Sequence, residues 1–142
     1  MMPNPAVTTE PSERSETLQL RNSPELFQPL GHYSHVVIYG GLAHISGQLP
    51  VDQHGTALSD QAFEVQARQV LQNLDQCLVT AETDRSRLIS VCVYITDIEK
   101  WPAFDAVYTD WIGQHRPARA VAGANELHYG AAVEVHAVAA FS

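Results

Sequence analysis

The chain has 142 residues, 45% of them hydrophobic and 17% charged, which are the proportions of one globular domain and not of a disordered segment. Sixteen acidic side chains against eight basic ones give a formal net charge of −8, and the Lys and Arg residues form no run. That balance argues against nucleic-acid binding, where affinity comes from cations displacing counterions along phosphates. The two cysteines, Cys77 and Cys92, form no CxxC pair, so the reading is two reduced, buried thiols and neither a redox couple nor a zinc knuckle.

Residues 1–16 are rich in Pro, Ser, Thr and Glu and hold no apolar stretch suited to a signal peptide or a membrane helix. They read as a flexible tail on a domain spanning 17–142, with a cytoplasmic location and no membrane contact. Thr17 to Arg21 alternates as a short strand, and Asn22-Ser23-Pro24 ends it. Val36-Val37-Ile38-Tyr39 is β-branched and aromatic, hence a strand. Gly40-Gly41 signals a hairpin, and Leu42 to Ser46 is the returning partner.

From Asp60 to about Ala81 the apolar period changes to three and four: Phe63, Ala67, Val70, Leu71, Leu74 and Leu78 make one helix face, with Ser59 or Asp60 as N-cap. Leu88 to Thr96 is too apolar for a strand with one wet face and reads as central in its sheet. Trp101 to Ile112 is a second helix, with Pro102 in its first turn and Gly113 at its stop. Ala118 to Gly123 is a short strand with weak signals, and Ala132 to Phe141 a strong terminal one.

The order β-β-β-α-β-α-β-β predicts an α+β fold, two helices packed on one face of a roughly six-stranded mixed sheet. In the terminal strand Val133, Val135, Ala137, Ala139 and Phe141 share the face expected under the helices, while Glu134, His136, Val138 and Ala140 share the other. Two largely apolar faces with helices for only one of them imply a partner surface, read as a homo-oligomer. A carboxylate between two valines, as at Glu134, must be paired, hydrogen-bonded or neutral. A structural ion pair and a functional role fit that pattern equally.

Several segments together resemble one family. Gly31-His32-Tyr33-Ser34-His35 resembles a Gly-Pro-Tyr-Ser-Gln segment, and Ile45-Ser46-Gly47-Gln48-Leu49-Pro50 a Ser-Gly-Gln-hydrophobic-Pro signature. Gln66-Ala67-Arg68-Gln69 with Leu74, Thr96-Asp97 with Phe104, Val107 and Tyr108, Arg116-Pro117-Ala118-Arg119, and Gly130 with Val133-Glu134-Val135 follow in order. From about Thr17 to Phe141 the chain is similar to RidA/YjgF, the reactive imine and enamine deaminases. The resemblance implies a chorismate-mutase-like homotrimer whose sheets pack into a central barrel, with active sites between subunits. It also implies hydrolysis of 2-imino acids to 2-oxo acids and ammonia, as by a 2-iminobutanoate/2-iminopropanoate deaminase, without a cofactor, because the imine arrives preformed.

Under that resemblance Arg119 is the substrate-binding arginine. A planar, permanently charged fork suits a carboxylate better than lysine does, although a surface ion pair is the plainer use of an arginine in so acidic a chain. Glu134 matches the glutamate that holds or activates water, Tyr33 the tyrosine lining the cleft, and Ser46 a serine near the site, where a turn hydroxyl bonded to backbone is nearly as good a reading. Val121 stands where Cys or Thr is common and contributes mainly backbone. Asp105 aligns with a polar helix position. No metal is implied: His32 and His35 are the only close histidine pair, and no HxH or HExxH occurs. His32 and His35 replace the usual proline and glutamine, which leaves the natural substrate open. The alternatives are a 2-oxo acid sensor that binds without turnover, a deaminase of a ring-cleavage enamine such as 2-aminomuconate, and a ribonuclease, which the acidic charge disfavours.

Overall fold

A computed structural model describes residues 17–141. The tail expected over residues 1–16 lies outside the described residues. Strands β1 (Gln19–Arg21), β2 (Val36–Tyr39) and β3 (Leu42–Gln48) come first, then helix α1 (Phe63–Thr80), β4 (Leu88–Ile95), helix α2 (Trp101–Ile112), β5 (Ala118–Gly123) and β6 (Val133–Ala140). They form a six-stranded sheet in the order β1-β2-β3-β6-β4-β5. Every neighbouring pair is antiparallel except β4 and β5. The expected element order and the mixed sheet are both present.

Gly40 and Gly41 adopt φ of 60° and 83°, the two positive values that a tight hairpin turn between Tyr39 and Leu42 requires. The apolar period of α1 seats Phe63, Ala67, Val70, Leu71, Leu74 and Leu78 in the core. Its start differs from the expectation. The helix begins at Phe63, and neither Ser59 nor Asp60 caps it. Leu58 to Gln61 instead closes a turn through Gln61 N–H to the Leu58 carbonyl at 2.9 Å, and the Ser59 hydroxyl donates to the Tyr129 carbonyl. A distant acceptor thus outcompetes the local cap.

The core lies between the helices and one sheet face. On β6, Val133, Val135 and Ala139 are fully buried and Ala137 nearly so, whereas Glu134, His136, Val138 and Ala140 on the other face are all half-buried. That second face continues through Leu20, Tyr39 and Leu42, all exposed, and among the described residues no helix covers it. Cys77 is buried in the helix-side core, where desolvation pushes its thiol up to about 12 and keeps it protonated. Cys92 is only half-buried, because its side chain shares the open face with His136; both thiols are free.

Between Ile45 and Gln48 the register of β3 slips by one residue against β6. This bulge falls at Ser46-Gly47, beside Glu134, and re-aims the strand there as bulges do. Among the described residues no helix is long and apolar enough to cross a membrane.

Candidate active site

The expected site residues fall into two groups. Glu134, Tyr33 and Ser46 gather around the β3 bulge. Gly47 lies so close to Glu134 that a Cβ built there would collide with Oε2 of the carboxylate, so the glycine is what admits the acid. Gly47 and Tyr33 both line a cleft of about 260 Å³ between the segment 26–35 and the loop 47–57. The Tyr33 hydroxyl is held above the ordinary phenol range, first by burial and then by Tyr129, Cys77 and Glu134. It therefore stays protonated at neutral pH, with a proton available to donate.

Ser46 has a structural contact. Its hydroxyl donates to the Ser34 carbonyl at 2.6 Å and its N–H to the His35 carbonyl at 3.0 Å. Both bonds pin the Tyr33 segment to the bulge. His35, nearly fully buried, holds the same segment from behind. Its Nδ1 accepts from Ser23 N–H at 3.0 Å, and its Nε2 lies 3.2 Å from the Phe27 carbonyl, which sets the tautomer with the proton on Nε2. Burial lowers the pKa of this imidazole, with the Phe27 bond opposing. His35 therefore does not pair with exposed His32. Among the described residues no group of three or more His, Cys, Asp or Glu could hold a metal ion.

Arg119 and Val121 form the second group. Arg119 sits on β5, at the sheet edge, and pairs in register with Val91, while Glu134 pairs with Tyr94. Val91 and Tyr94 are three residues apart on one strand, so Arg119 and Glu134 project from opposite faces of the sheet. The structure does not bring them together within one chain. Arg119 turns toward α2, where Nη1 donates to Asp105 Oδ1 at 3.0 Å and the guanidinium lies 4.8 Å from the Trp101 ring centre and 4.7 Å from that of Tyr108. Trp101, Arg119 and Val121, with Ile98, line a second hollow at this edge. The stacked rings hold the fork flat, and Asp105 takes one of its donors.

Sequence reasoning missed the aromatic support of Arg119. Trp101, Asp105 and Tyr108 stand at i, i+4 and i+7 and so share a helix face, but that spacing does not say which residue the face meets. It also missed Tyr129, which lines the same cleft as Tyr33 and has a left-handed conformation at φ 62°. Only the neighbouring Gly130 hinted at a turn there.

A family model described as Endoribonuclease L-PSP matches residues 23–141. The chain is 34% identical over 119 residues to a RutC family protein of Aquifex aeolicus, covering 82% of this chain and 94% of that one. The chain belongs to the RidA/YjgF family. Two solved structures agree with RidA/YjgF membership. A Rid family protein of unknown function from Yersinia pestis superposes with a TM-score of 0.84 at 27% identity, covering 87% of this chain and 99% of that one. TdcF from E. coli, crystallised with bound serine, superposes with a TM-score of 0.81 at 25% identity and the same coverage.

Proposed function

We propose that this RidA/YjgF member hydrolyses 2-imino acids, or the enamines from which they form, to 2-oxo acids and ammonia. In this reading the site is assembled between copies of a homotrimer. The observation that carries it is the pair of incomplete half-sites. A water-handling group, half-buried Glu134 beside Tyr33, opens on a sheet face that no described helix covers, and a carboxylate anchor, Arg119, stands at the edge of the other face. In this assembly a neighbouring copy covers the half-buried stripe of β6, and Arg119, at the edge strand of one copy, meets Glu134 on the open face of another.

The reaction then needs little. Arg119 engages the substrate carboxylate through a bidentate fork. Glu134 takes a proton from a water molecule as the water oxygen bonds to the imine carbon and the C=N π electrons move to nitrogen, and it passes that proton to the nitrogen to give the carbinolamine. Glu134, again a carboxylate, then takes the hydroxyl proton and delivers it to the amine nitrogen, so that ammonia leaves as C=O forms and one water is consumed per ammonia released. Tyr33, protonated throughout, donates to the developing oxygen or nitrogen. The serine in the TdcF structure supports a ligand of amino-acid size. It also keeps a second reading, binding without turnover, on the same residues.

The test couples an amino-acid oxidase to semicarbazide, which traps the imine. The purified protein is expected to suppress the semicarbazone signal, and Arg119→Ala to lose activity on the order of 100-fold or more while staying folded. Calorimetric binding of 2-oxo acids with no effect on the trapping signal would support the binding reading instead.

A further inference from the structure

The cleft beside Glu134 is larger and more apolar than the chemistry above requires. Its volume of about 260 Å³ is more than a methyl or ethyl group would fill. Phe27, Leu30, Leu49 and Val51 line it, Tyr33 and Gly47 stand where it meets the Glu134 carboxylate, and among the described residues no Asp, Glu, Lys or Arg lines it.

Both walls are held in place by hydrogen bonds from polar side chains, among them the buried His35 and Asn73. On one side His35 binds Ser23 and Phe27, and Gln28 Nε2 donates to the Ser23 and Leu26 carbonyls at 2.9 and 3.1 Å. On the other, Asn73 of α1, 5% exposed, donates through Nδ2 to the Leu49 and Val51 carbonyls, both at 3.0 Å. The Phe27 ring bridges the walls by resting on Gly55, where a Cβ would meet Cε1 at 2.6 Å and where φ is +87°. A packed domain closes an apolar gap unless something fixes its edges. Here two amides, exposed Gln28 and buried Asn73, and the buried imidazole of His35 fix them, so the cleft is preorganised and not a packing fault.

We propose that this cleft is the subsite for the substrate's side chain, and that the protein acts on 2-imino acids bearing a bulky apolar substituent, branched or aromatic. The inference rests on the imine reading. With the carboxylate on a neighbouring copy's Arg119 and the C=N carbon at Glu134, the substituent extends past Gly47 between Phe27 and Val51. The upstream reaction is then an oxidation or elimination that releases the imine of a large apolar amino acid.

The test compares kcat/KM for imines made in situ by an amino-acid oxidase from leucine or phenylalanine with that from alanine. A filled apolar pocket gains roughly tenfold or more per methylene, so a large-to-small ratio of at least about tenfold is expected. Val51→Phe, which fills the cleft, and Leu30→Asp, at a position 79% exposed and harmless to folding, should each lower that ratio at least about fivefold. A ratio near or below one, or a ratio unmoved in both variants, overturns the subsite and leaves the imine reading standing. If no imine is hydrolysed, calorimetry with 4-methyl-2-oxopentanoate and pyruvate decides. Selective binding of the larger acid, lost in Leu30→Asp, upholds the subsite while the hydrolytic reading falls; equal binding overturns both.

Discussion

The two faces of the sheet are made from much the same residues, yet they behave as a core and as a working surface. Along β6, Val133, Val135 and Ala139 are fully dry under α1, while Glu134, His136 and Val138, one residue out of phase, are half-buried on a face no helix covers. On the open face Tyr94 stacks on His136, with its hydroxyl 3.3 Å from Nε2, and the carboxylate of Glu134 folds over a bulge. A polar group survives in so apolar a stripe only where it has partners or a use. The difference teaches that the pleat, and not composition, separates the core from the proposed working face in this chain.

Adjacent residues on β6 should therefore fail in opposite ways. Glu134→Gln, which keeps shape and removes the base, is expected to cost about 10²–10⁴-fold in kcat with a thermal midpoint close to wild type. Val135→Ala is expected to cost roughly 2–3 kcal/mol of stability, from lost burial and a cavity, with kcat retained in the folded fraction. Urea titration beside the trapping assay reads both, and a Glu134→Gln variant that unfolds like Val135→Ala would erase the distinction. Gly47→Ala sharpens it. Its new Cβ displaces the carboxylate without touching the core, so activity should fall about 10- to 100-fold at nearly unchanged stability.

The smallest expected effect concerns the segment that carries Tyr33. His35 has a pKa below its usual 6.5 because it is buried as the neutral acceptor of Ser23 N–H. The unfolded chain binds that proton first as pH falls. Stability is thus full above about 6.5 and declines below it until the folded imidazole also titrates. His35→Gln offers an oxygen to Ser23 and an N–H to Phe27 without titrating, so its urea midpoint should fall less between pH 7 and pH 5. An unchanged slope would place the pH dependence elsewhere.

Much of the fold was legible because the signals were local and strong. The glycine pair gave the hairpin, the period of Phe63 to Leu78 gave α1, and the β-branched run at Leu88 gave the central strand. The false N-cap came from a contact 70 residues away, between Ser59 and Tyr129, which no local pattern carries. Glu134 stood out as a charge among valines. Arg119 did not, because Ala118 to Gly123 consists almost entirely of small residues, and their alternation assigns no face. Only the parallel pairing with β4 shows that Arg119 turns toward α2 and away from Glu134. The division of the site thus lies in sheet register, which sequence spacing alone leaves open.

That division is the central claim, and subunit mixing tests it most directly. Arg119→Ala and Glu134→Gln proteins, each inactive alone, are dissociated, combined in equal amounts and reassembled. If one copy's Arg119 works with another's Glu134, each mixed trimer regains one intact site, and about a quarter of wild-type activity should return. If both residues act from the same chain, no mixed assembly contains a repaired site. Activity that stays at the level of the separate variants, in mixtures shown by mass spectrometry to have exchanged subunits, would contradict the account.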